Sequence, residues 1–255
     1  MPLVRERQGA VEVLVIDRER AANAIDLETG RALAEAFDAL PGDSEVRAVV
    51  ITGAGDRIFC AGMDLGAVRS GAAEAINAVP GGFGGIVRRD FPLPLVGAVN
   101  GVAVGGGFEI VLACDLVVAA ENATFGLPEV KRGLFAASGG LVRLARRIAP
   151  PVAFELALTG EPITAARACE LGIVNRVVEK GRAREEAILI AERIAANGPL
   201  ALRASKRLLR AALESSDDEL WELNTKLAAE VFASEDAREG AAAFAEKRPP
   251  RWSGR

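Results

Sequence analysis

The sequence predicts an α/β fold with a largely parallel β-sheet. Short runs of apolar, β-branched residues alternate with segments of helical periodicity through the first half of the chain, and glycine-rich turns separate them. A strand followed by a crossover and another strand favours parallel pairing. Half of the 255 residues are hydrophobic and about a quarter are charged, which is typical of a folded chain with a sizeable core. The length fits one large domain, or one domain with a small appendage.

The first half of the sequence predicts five strands and two helices. Asp26 is suited to cap the first helix, because a short carboxylate accepts hydrogen bonds from the free amides of a first helical turn. That helix carries Leu33, Phe37 and Leu40 on one face, and residues 41–43 (Pro-Gly-Asp) end it. The second predicted helix covers residues 108–114, and the predicted strands are residues 11–16, 47–52, 93–99, 115–119 and 124–126.

The segment of residues 66–89 has a weaker pattern. Residues 80–85 (PGGFGG) are too rich in glycine to hold a regular element. We therefore expect a mobile loop or lid over this part of the chain.

From residue 151 onward the sequence predicts helices. Their start signals are Thr164, Pro199 and the capping-box pair Ser216 and Glu219, and the last helical stretch covers residues 234–246. A helical C-terminal part of about 55 residues is too small to bury its own apolar faces. We expect it to pack on the core or on neighbouring subunits.

The composition excludes several classes of chemistry. The sequence contains no histidine, so neither a Ser-His-Asp relay nor a His-based zinc site is available. Proton transfer must then use carboxylates, lysine, cysteine or bound water. Ser138 and Cys60 are poor candidates for a hydrolytic nucleophile without a histidine base. A net charge of -4 with both signs interspersed offers no surface for nucleic acid.

The sequence predicts a protein of the cytoplasm. No apolar run approaches the roughly 20 residues of a membrane-spanning helix. The first residues lack the apolar segment of a secretion signal. Cys60, Cys114 and Cys169 are odd in number and widely spaced, which indicates reduced thiols, and we expect them to be buried.

The most informative stretch, residues 94–115, places three consecutive glycines, Gly105 to Gly107, between a predicted strand and a predicted helix. Glycine lets the backbone approach a ligand closely, and the amides of a helix N-terminus favour a negative charge. The run contains no Lys or Arg and its spacing differs from phosphate-binding fingerprints, so a transient oxyanion fits better than a phosphate. Close packing of helix against strand is the alternative explanation.

Residues 59–65 (FCAGMDL) could supply a second amide to the same point. The segment follows a short turn after a strand, and the Gly62-Met63 peptide could present the Met63 N–H. Two such donors define an oxyanion hole. The alternative is a tight turn in which Asp64 caps a helix.

Two glutamates complete the candidate constellation. Glu109 lies in the first turn of the predicted helix, and Glu129 follows a predicted strand. The residues between them suffice for a helix and a returning strand, so both could face one pocket. Glu109 stands between Phe108 and Ile110, where an unpaired carboxylate is costly to bury. The alternative for either glutamate is a solvated or dipole-stabilising side chain.

These residues resemble the crotonase, or enoyl-CoA hydratase/isomerase, superfamily. The stretch VGAVNGVAVGGGFEIVLACD at residues 96–115 is similar to that family's signature from end to end. The motifs TFGLPE, TGEPITA, GIVNRVV and FAEKR follow in the family's order. The resemblance covers essentially the whole chain, and its motifs are more specific to the superfamily than to one reaction.

The resemblance implies a crotonase-like α/β spiral of ββα repeats over residues 1–198 and a helical trimerisation segment over residues 199–255. It implies a homotrimer or a homohexamer that binds an acyl-CoA substrate. No cofactor other than the coenzyme A of the substrate is implied, and no metal, nucleic acid or membrane partner.

By position, the resemblance assigns the oxyanion donors to the amides of Met63 and Gly106. Glu109 and Glu129 are expected to hold one water, with Glu109 activating it and Glu129 donating a proton. The residues expected to bind coenzyme A are Ala61, Gly62, Met63, Asp64, Leu65, Gly66 and Gly106, with Phe244 and Lys247 reaching it from the C-terminal segment.

The expected reaction is the addition of water across the 2,3 double bond of an enoyl-CoA, a hydro-lyase reaction. The alternatives within enzymes are an enoyl-CoA isomerase, which can work with one carboxylate, and a carnitinyl-CoA dehydratase-like member. A non-catalytic acyl-CoA-binding scaffold is the alternative outside enzymes. Met63 stands where many relatives carry Ala, and Ala137 where hydratases often have Gly, so the acyl group stays open.

Overall fold

In the computed structural model, which describes residues 1–213 and 215–255, the chain folds into two β-sheets with helices packed on them. The larger sheet has the strand order β1-β2-β3-β5-β7-β10, and the smaller sheet has the order β4-β6-β8-β9. The strands are β1 (Leu3–Gln8), β2 (Val11–Ile16), β3 (Ala48–Gly53), β4 (Ile58–Cys60), β5 (Leu95–Val99), β6 (Val102–Val104), β7 (Leu116–Ala120), β8 (Thr124–Gly126), β9 (Ile163–Thr164) and β10 (Arg176–Val178).

Helices follow the strands and fill the C-terminal part of the chain. They are α1 (Leu27–Ala39), α2 (Leu65–Arg69), α3 (Ala73–Asn77), α4 (Gly106–Ala113), α5 (Gly140–Arg147), α6 (Pro150–Thr159), α7 (Ala165–Glu170), α8 (Ala183–Ala195), α9 (Pro199–Ala211), α10 (Asp217–Phe232) and α11 (Glu235–Glu246). Short 3-10 turns cover Phe83–Gly85 and Pro128–Arg132. Of the helices described, none has both the length and the apolar character that a membrane span requires.

The larger sheet is buried on both faces, as its nearly continuous apolar strands require. β1 pairs antiparallel with β2 at the edge, and the strands from β2 to β10 pair in parallel. One face packs against Phe37 of α1 through side chains such as Leu14 and Ile51. The other face packs against α8, where Val50 and Ala187 belong to a second apolar cluster.

A strand-strand-helix unit recurs three times along the chain and produces the predicted spiral. β3, β5 and β7 lie in the larger sheet, and each leads to a short strand of the smaller sheet, β4, β6 or β8. The helical segment that follows is α2, α4 or the 3-10 turn Pro128–Arg132. Because β4, β6 and β8 pair in parallel, their carboxyl ends meet at one edge of the small sheet.

The predicted strands of the first half are all present, with ends shifted by a few residues at most. Five further strands have no clear signal in the sequence: β1, β4, β6, β9 and β10. β1 is largely exposed, and the other four strands have only two or three residues, too few to show an alternating pattern.

The prediction of a mobile loop over residues 66–89 is wrong. The segment contains α3, most of α2 and a 3-10 turn, and Ile76, Phe83 and Val87 are buried in the core. Helices of five residues leave no clear periodicity in a sequence, and the glycines at 81–85 allow this backbone to lie directly against α1.

The expectation of buried cysteines is confirmed for Cys60 and Cys114 and wrong for Cys169, which is exposed. Cys169 lies on α7, where the buried residues are Ala165 and Ala168. The side chain that follows Ala168 points away from the core because successive helical positions differ by about 100°.

The C-terminal helices begin where the sequence places their start signals. Thr164 caps α7, Pro199 begins α9 and Ser234 caps α11. Ahead of α10, the Glu219 side chain accepts a hydrogen bond from the Ser216 amide at 2.9 Å. The domain boundary after residue 198 lies at the start of α9 and stays a prediction.

Candidate active site

The carboxyl ends of β4, β6 and β8 bring together three segments that the sequence analysis singled out. β4 leads into residues 61–66, β6 into residues 105–107 and β8 into the turn that carries Glu129. Ligands bind preferentially where parallel strands end, because several loops converge there. The three segments form the candidate active site.

The residues on either side of Met63 hydrogen-bond to Ile25, whereas the Met63 amide points away from Ile25. The Gly62 carbonyl accepts a hydrogen bond from the Ile25 amide at 2.8 Å, and the Asp64 amide donates to the Ile25 carbonyl at 3.0 Å. The Gly62 carbonyl and the Met63 N–H belong to one trans peptide plane and therefore point in opposite directions. The Met63 N–H thus points to the other side, and it has no hydrogen-bond partner in the part of the chain that the structure describes.

The amide of Gly106 begins α4 and is likewise unpaired among the described residues. First-turn amides of a helix have no intrahelical partner, and the helix dipole favours negative charge there. Gly62, with φ of 92°, lies so close to α4 that a Cβ at this position would come within 3.0 Å of the Gly106 nitrogen. The 62–63 peptide therefore lies against the N-terminus of α4, which brings the Met63 and Gly106 amides into the same region of the site.

Glu109 is held in the first turn of α4 with 3% of its surface exposed. Its Oε1 accepts hydrogen bonds from the amides of Ser138 and Gly140 at 2.7 and 2.8 Å. Burial raises the pKa of Glu109, and the two amides offset part of this effect. Both amide donors engage Oε1, and the Ser138 side chain also hydrogen-bonds this carboxylate.

Glu129 lies on the 3-10 turn after β8 and faces the same region. Its Oε2 is buried, and none of the described residues gives it a hydrogen bond. Its Oε1 lies beside Gly105, where a Cβ would come within 3.2 Å of this oxygen; with φ of 56°, that position also favours glycine. Burial raises the pKa of Glu129, and the negative charge of Glu109 raises it further.

The two glutamates form a coupled pair with different hydrogen bonding. Two nearby carboxylates in a poorly solvated site tend to share one proton, because both cannot be ionised without mutual repulsion. Amide donors favour the ionised form of Glu109, and the unpaired Oε2 of Glu129 is more compatible with a protonated group. The arrangement can therefore supply one base and one acid to a molecule between them.

The groups that hold Glu109 are not evident from the sequence. Ser138 is a candidate nucleophile by residue type, whereas in the structure its amide binds the Glu109 carboxylate. Arg143 donates to the Ser138 carbonyl at 3.5 Å and to the Val87 carbonyl, which fixes the loop ahead of α5. Backbone donors leave no signature in a sequence, although the pair Gly139-Gly140 marks a tight approach at this loop.

The two side chains considered as nucleophiles have no histidine base, and the Ser138 side chain instead hydrogen-bonds the Glu109 carboxylate. Cys60 is fully buried, and burial raises the pKa of its thiol to about 12, so the reactive thiolate is not formed at neutral pH. The Ser138 hydroxyl lies 3.4 Å from the amide oxygen of Asn77, which is not a base. In residues 1–213 and 215–255, no group of three or more Cys, Asp and Glu could hold a metal ion.

The other residues expected to bind coenzyme A divide into two groups. The segment from Ala61 to Gly66 follows β4 at the edge of the candidate site, and Asp64 also caps α2 by accepting from the Gly66 amide at 2.8 Å, as its alternative interpretation expected. Phe244 is 88% exposed near the end of α11, and Lys247 follows that helix. A contact of Phe244 and Lys247 with coenzyme A stays a prediction.

Comparison with known proteins extends this picture over the whole chain. The model of the enoyl-CoA hydratase/isomerase family matches residues 6–255. The curated relatives include a carnitinyl-CoA dehydratase from Proteus mirabilis (strain HI4320), which is 42% identical over 253 residues that cover 97% of each chain.

Solved structures with the same fold include proteins of both names. An enoyl-CoA hydratase from Mycobacterium tuberculosis H37Rv is 45% identical and superimposes with a TM-score of 0.95, covering 100% of this chain and 99% of the other. A carnitinyl-CoA hydratase from Mycobacterium avium is also 45% identical, with the same coverage and a TM-score of 0.79. The predicted fold class is thereby confirmed.

Proposed function

Because the chain belongs to the enoyl-CoA hydratase/isomerase family, we propose that it is a hydro-lyase that adds water across the 2,3 double bond of an enoyl-CoA thioester. The observation that carries this proposal is the coupled pair of the buried Glu109 and the half-buried Glu129, which lie beside two unpaired amides. Hydration needs all of these groups, whereas double-bond isomerisation requires only one acid-base residue.

The amides of Met63 and Gly106 would bind the thioester oxygen. When a nucleophile attacks Cβ of the conjugated thioester, electrons move through the double bond to this oxygen, which becomes an enolate. Preorganised amide donors stabilise such a charge, and each is typically worth roughly 3 kcal/mol of barrier. The dipole of α4 adds to this effect at Gly106.

The two glutamates would move the protons. The ionised Glu109 takes a proton from water as the water oxygen bonds to Cβ, and the protonated Glu129 gives its proton to Cα as the enolate collapses. At this point Glu109 is protonated and Glu129 is ionised, and transfer of a proton from Glu109 back to Glu129 through a second water restores the starting state. This division agrees with the amides on Glu109 and the unpaired oxygen of Glu129.

Coenzyme A would lie along residues Ala61 to Gly66, next to the Met63 donor, and no separate cofactor takes part. Phe244 and Lys247 offer an exposed ring and a cation that could contact the adenine and a phosphate. They lie on the helical segment 199–255, for which we propose a role in trimer or hexamer formation. The exposed large apolar side chains of this segment support that role: Leu209, Leu213, Trp221, Phe232 and Phe244.

The decisive test is the absorbance of the conjugated thioester in crotonyl-CoA. Hydration destroys the conjugation, so the purified protein should deplete this absorbance with multiple turnovers and yield 3-hydroxybutyryl-CoA. An isomerase would create the same absorbance from a 3-enoyl-CoA, and a non-catalytic scaffold would do neither. Failure to hydrate any member of a panel of 2-enoyl-CoA esters of different length and branching would refute the proposal.

A carnitinyl-CoA dehydratase activity is the second candidate, favoured by the name of the relatives that are 42% identical over nearly the whole chain. The chemistry is the same reaction in reverse, on a 3-hydroxyacyl-CoA that carries a trimethylammonium group at C4. The measurement is a comparison of kcat/KM for crotonyl-CoA and for its C4-trimethylammonium analogue. A preference for the charged analogue would select this candidate.

A further inference from the structure

Arg18 binds two carboxylates that flank the candidate oxyanion donor. Its guanidinium lies 2.8 Å from Oδ2 of Asp26 and 3.1 Å from Oδ2 of Asp64, and it also donates to the Ala24 carbonyl. The side chain is only 20% exposed, so these contacts are partly shielded from water. None of these residues touches the reacting groups in the mechanism above.

The position of the two carboxylates in the backbone is specific. Ile25 and Met63 form an isolated parallel bridge, and Asp26 and Asp64 are the residues directly after them. Arg18 therefore joins the two strands of this bridge one residue beyond the peptide that carries the Met63 N–H.

Each carboxylate uses its other oxygen to cap a helix. Oδ1 of Asp26 accepts from the Thr29 amide at 2.8 Å at the start of α1, and Oδ1 of Asp64 accepts from the Gly66 amide at 2.8 Å at the start of α2. Burial alone would raise the pKa of Asp64, but its hydrogen bonds from Arg18 and from two amides outweigh this effect and lower it. The carboxylate is thus ionised and anchored on both sides at neutral pH.

A buried side chain anchors the loop that carries Arg18. Asn23 accepts from the Arg18 amide at 3.0 Å and donates to the carbonyls of Ala54 and Ile58, on either side of the turn between β3 and β4. The guanidinium therefore starts from a fixed backbone, so its contacts hold Asp64 in place.

We propose that Arg18 is a positioning residue that sets the direction of the Met63 amide. The inference rests on the proposed role of that amide as an oxyanion donor. The Met63 N–H points into the site only while the Gly62 carbonyl accepts its hydrogen bond from the Ile25 amide. Arg18 binds the two residues that follow the Ile25–Met63 bridge, Asp26 and Asp64. A loosened bridge would let the 62–63 peptide rotate and weaken one of the two donors.

The test compares Arg18→Met, Arg18→Lys and Asp26→Asn. We expect Arg18→Met to lower kcat about 10- to 100-fold with little change in KM, because misplacing a donor affects the transition state more than binding. Lysine keeps the charge but not the planar fork, so Arg18→Lys should recover part of the loss. Asp26→Asn removes the ion pair between Arg18 and Asp26 and leaves the cap of α2 intact. It is the variant to measure if Arg18→Met does not fold.

A second readout does not depend on turnover. Hydrogen bonds from an oxyanion hole lower the carbonyl stretching frequency of a bound thioester, which difference infrared spectroscopy with a carbonyl-labelled acyl-CoA records. We expect the frequency to move towards the free value in Arg18→Met. The matched control is Arg7→Met, since Arg7 also bridges two carboxylates, Glu12 and Asp43, at 2.7 and 2.8 Å, but on the edge strand β1.

The outcomes separate this inference from the proposed function. An unchanged carbonyl frequency and kcat in folded Arg18→Met, with normal hydration by the wild type, would overturn the role of Arg18 alone. A wild type that shifts the carbonyl of bound acyl-CoA but hydrates no substrate, together with loss of the shift in Arg18→Met, would overturn hydration and support Arg18. Equal losses in Arg7→Met and Arg18→Met would reduce Arg18 to a structural role and overturn the inference.

Discussion

The polar groups at the two ends of α4 differ in their hydrogen bonding. At the C-terminal end, the carbonyls of Ala113 and Cys114 accept hydrogen bonds from Arg210 and Arg147 at 2.9 and 3.2 Å. Asp115, directly beyond that end, pairs with Lys206 at 2.6 Å and with Arg210 at 2.8 Å. The orphan carbonyls that a helix leaves at its C-terminus are thus bound to two arginines, Arg210 of α9 and Arg147 of α5.

At the N-terminal end the Gly106 amide is unpaired among the described residues, and the neighbouring Glu129 has a buried oxygen without a partner. Each unpaired buried group costs stability. The contrast teaches that a single helix serves two purposes: its C-terminal end binds α9 to the core, and its N-terminal end holds polar groups ready for a ligand. The two ends should therefore respond differently to substitution.

The largest effect should come from neutralising the glutamates at the N-terminal end. We expect Glu109→Gln and Glu129→Gln each to lower kcat for hydration by about 10³-fold, the range typical of a lost general acid or base. The free energy of unfolding should not fall for Glu129→Gln, because glutamine removes a poorly solvated carboxyl group that has no partner on Oε2. Steady-state kinetics and denaturant unfolding give the two quantities.

The control for this pair is Glu155→Gln on the exposed side of α6, which should change neither quantity. Binding of a saturated acyl-CoA should be nearly unchanged in both active-site variants, since the amide donors and residues 61–66 are intact. Turnover at the wild-type rate in either variant would remove that glutamate from the mechanism.

The next effect concerns the C-terminal end. Asp115→Asn leaves Lys206, with 8% of its side chain exposed, without its carboxylate, so we expect the free energy of unfolding to fall by about 3 kcal/mol. The kcat of the folded variant should stay within about threefold of the wild type if the two ends are independent. An exposed pair offers the control: Glu6→Gln, which breaks the contact with Arg184, should cost less than about 1 kcal/mol.

A loss of kcat in Asp115→Asn as large as that of Glu129→Gln would break the comparison. It would mean that the cations at the C-terminal end fix the position of the whole helix, including the Gly106 amide. Near-wild-type stability would instead show that α9 is held by its apolar contacts alone.

The residues at the N-terminal end of α4 are easier to predict from the sequence than the residues that hold them in place. Gly106 and Glu109 stand in one contiguous motif whose strand-glycine-helix pattern is local, so residue types and spacing suffice. The amides that hold Glu109 come from residues 29 and 31 positions later, and Arg18 binds Asp64 across 46 positions. Contacts of this kind depend on the completed fold, and a backbone donor can belong to any residue type.

The errors have a related cause. β4 and β6 have three residues each, too few for a period-two pattern, yet their pairing decides which loops converge at the site. The glycines around Phe83 predict a mobile loop, but its ring packs against Gly106, where a Cβ would come within 2.4 Å of it. Local composition does not reveal that a glycine-rich segment is pressed against a core helix.

The smallest effect should appear in the pH dependence of stability at the N-terminal end. Burial and the charge of Glu109 raise the pKa of Glu129 above its ordinary value of 4.5, so the folded protein binds a proton there more tightly than the unfolded chain does. The contribution of this group to stability is fully present below the ordinary value and is lost as the pH rises through the raised pKa.

Because Glu129→Gln does not titrate, its stability relative to the wild type should be constant at low pH and should increase as the pH rises through the same window. The carboxyl group is partly solvated, so solvent screening should keep the gain below about 1 kcal/mol. Denaturant unfolding of both proteins at about pH 4 and about pH 8 measures this difference. A gain that shrinks with rising pH would mean that Glu129 is stabilised as an anion, and Glu109 would then be the group that keeps the proton.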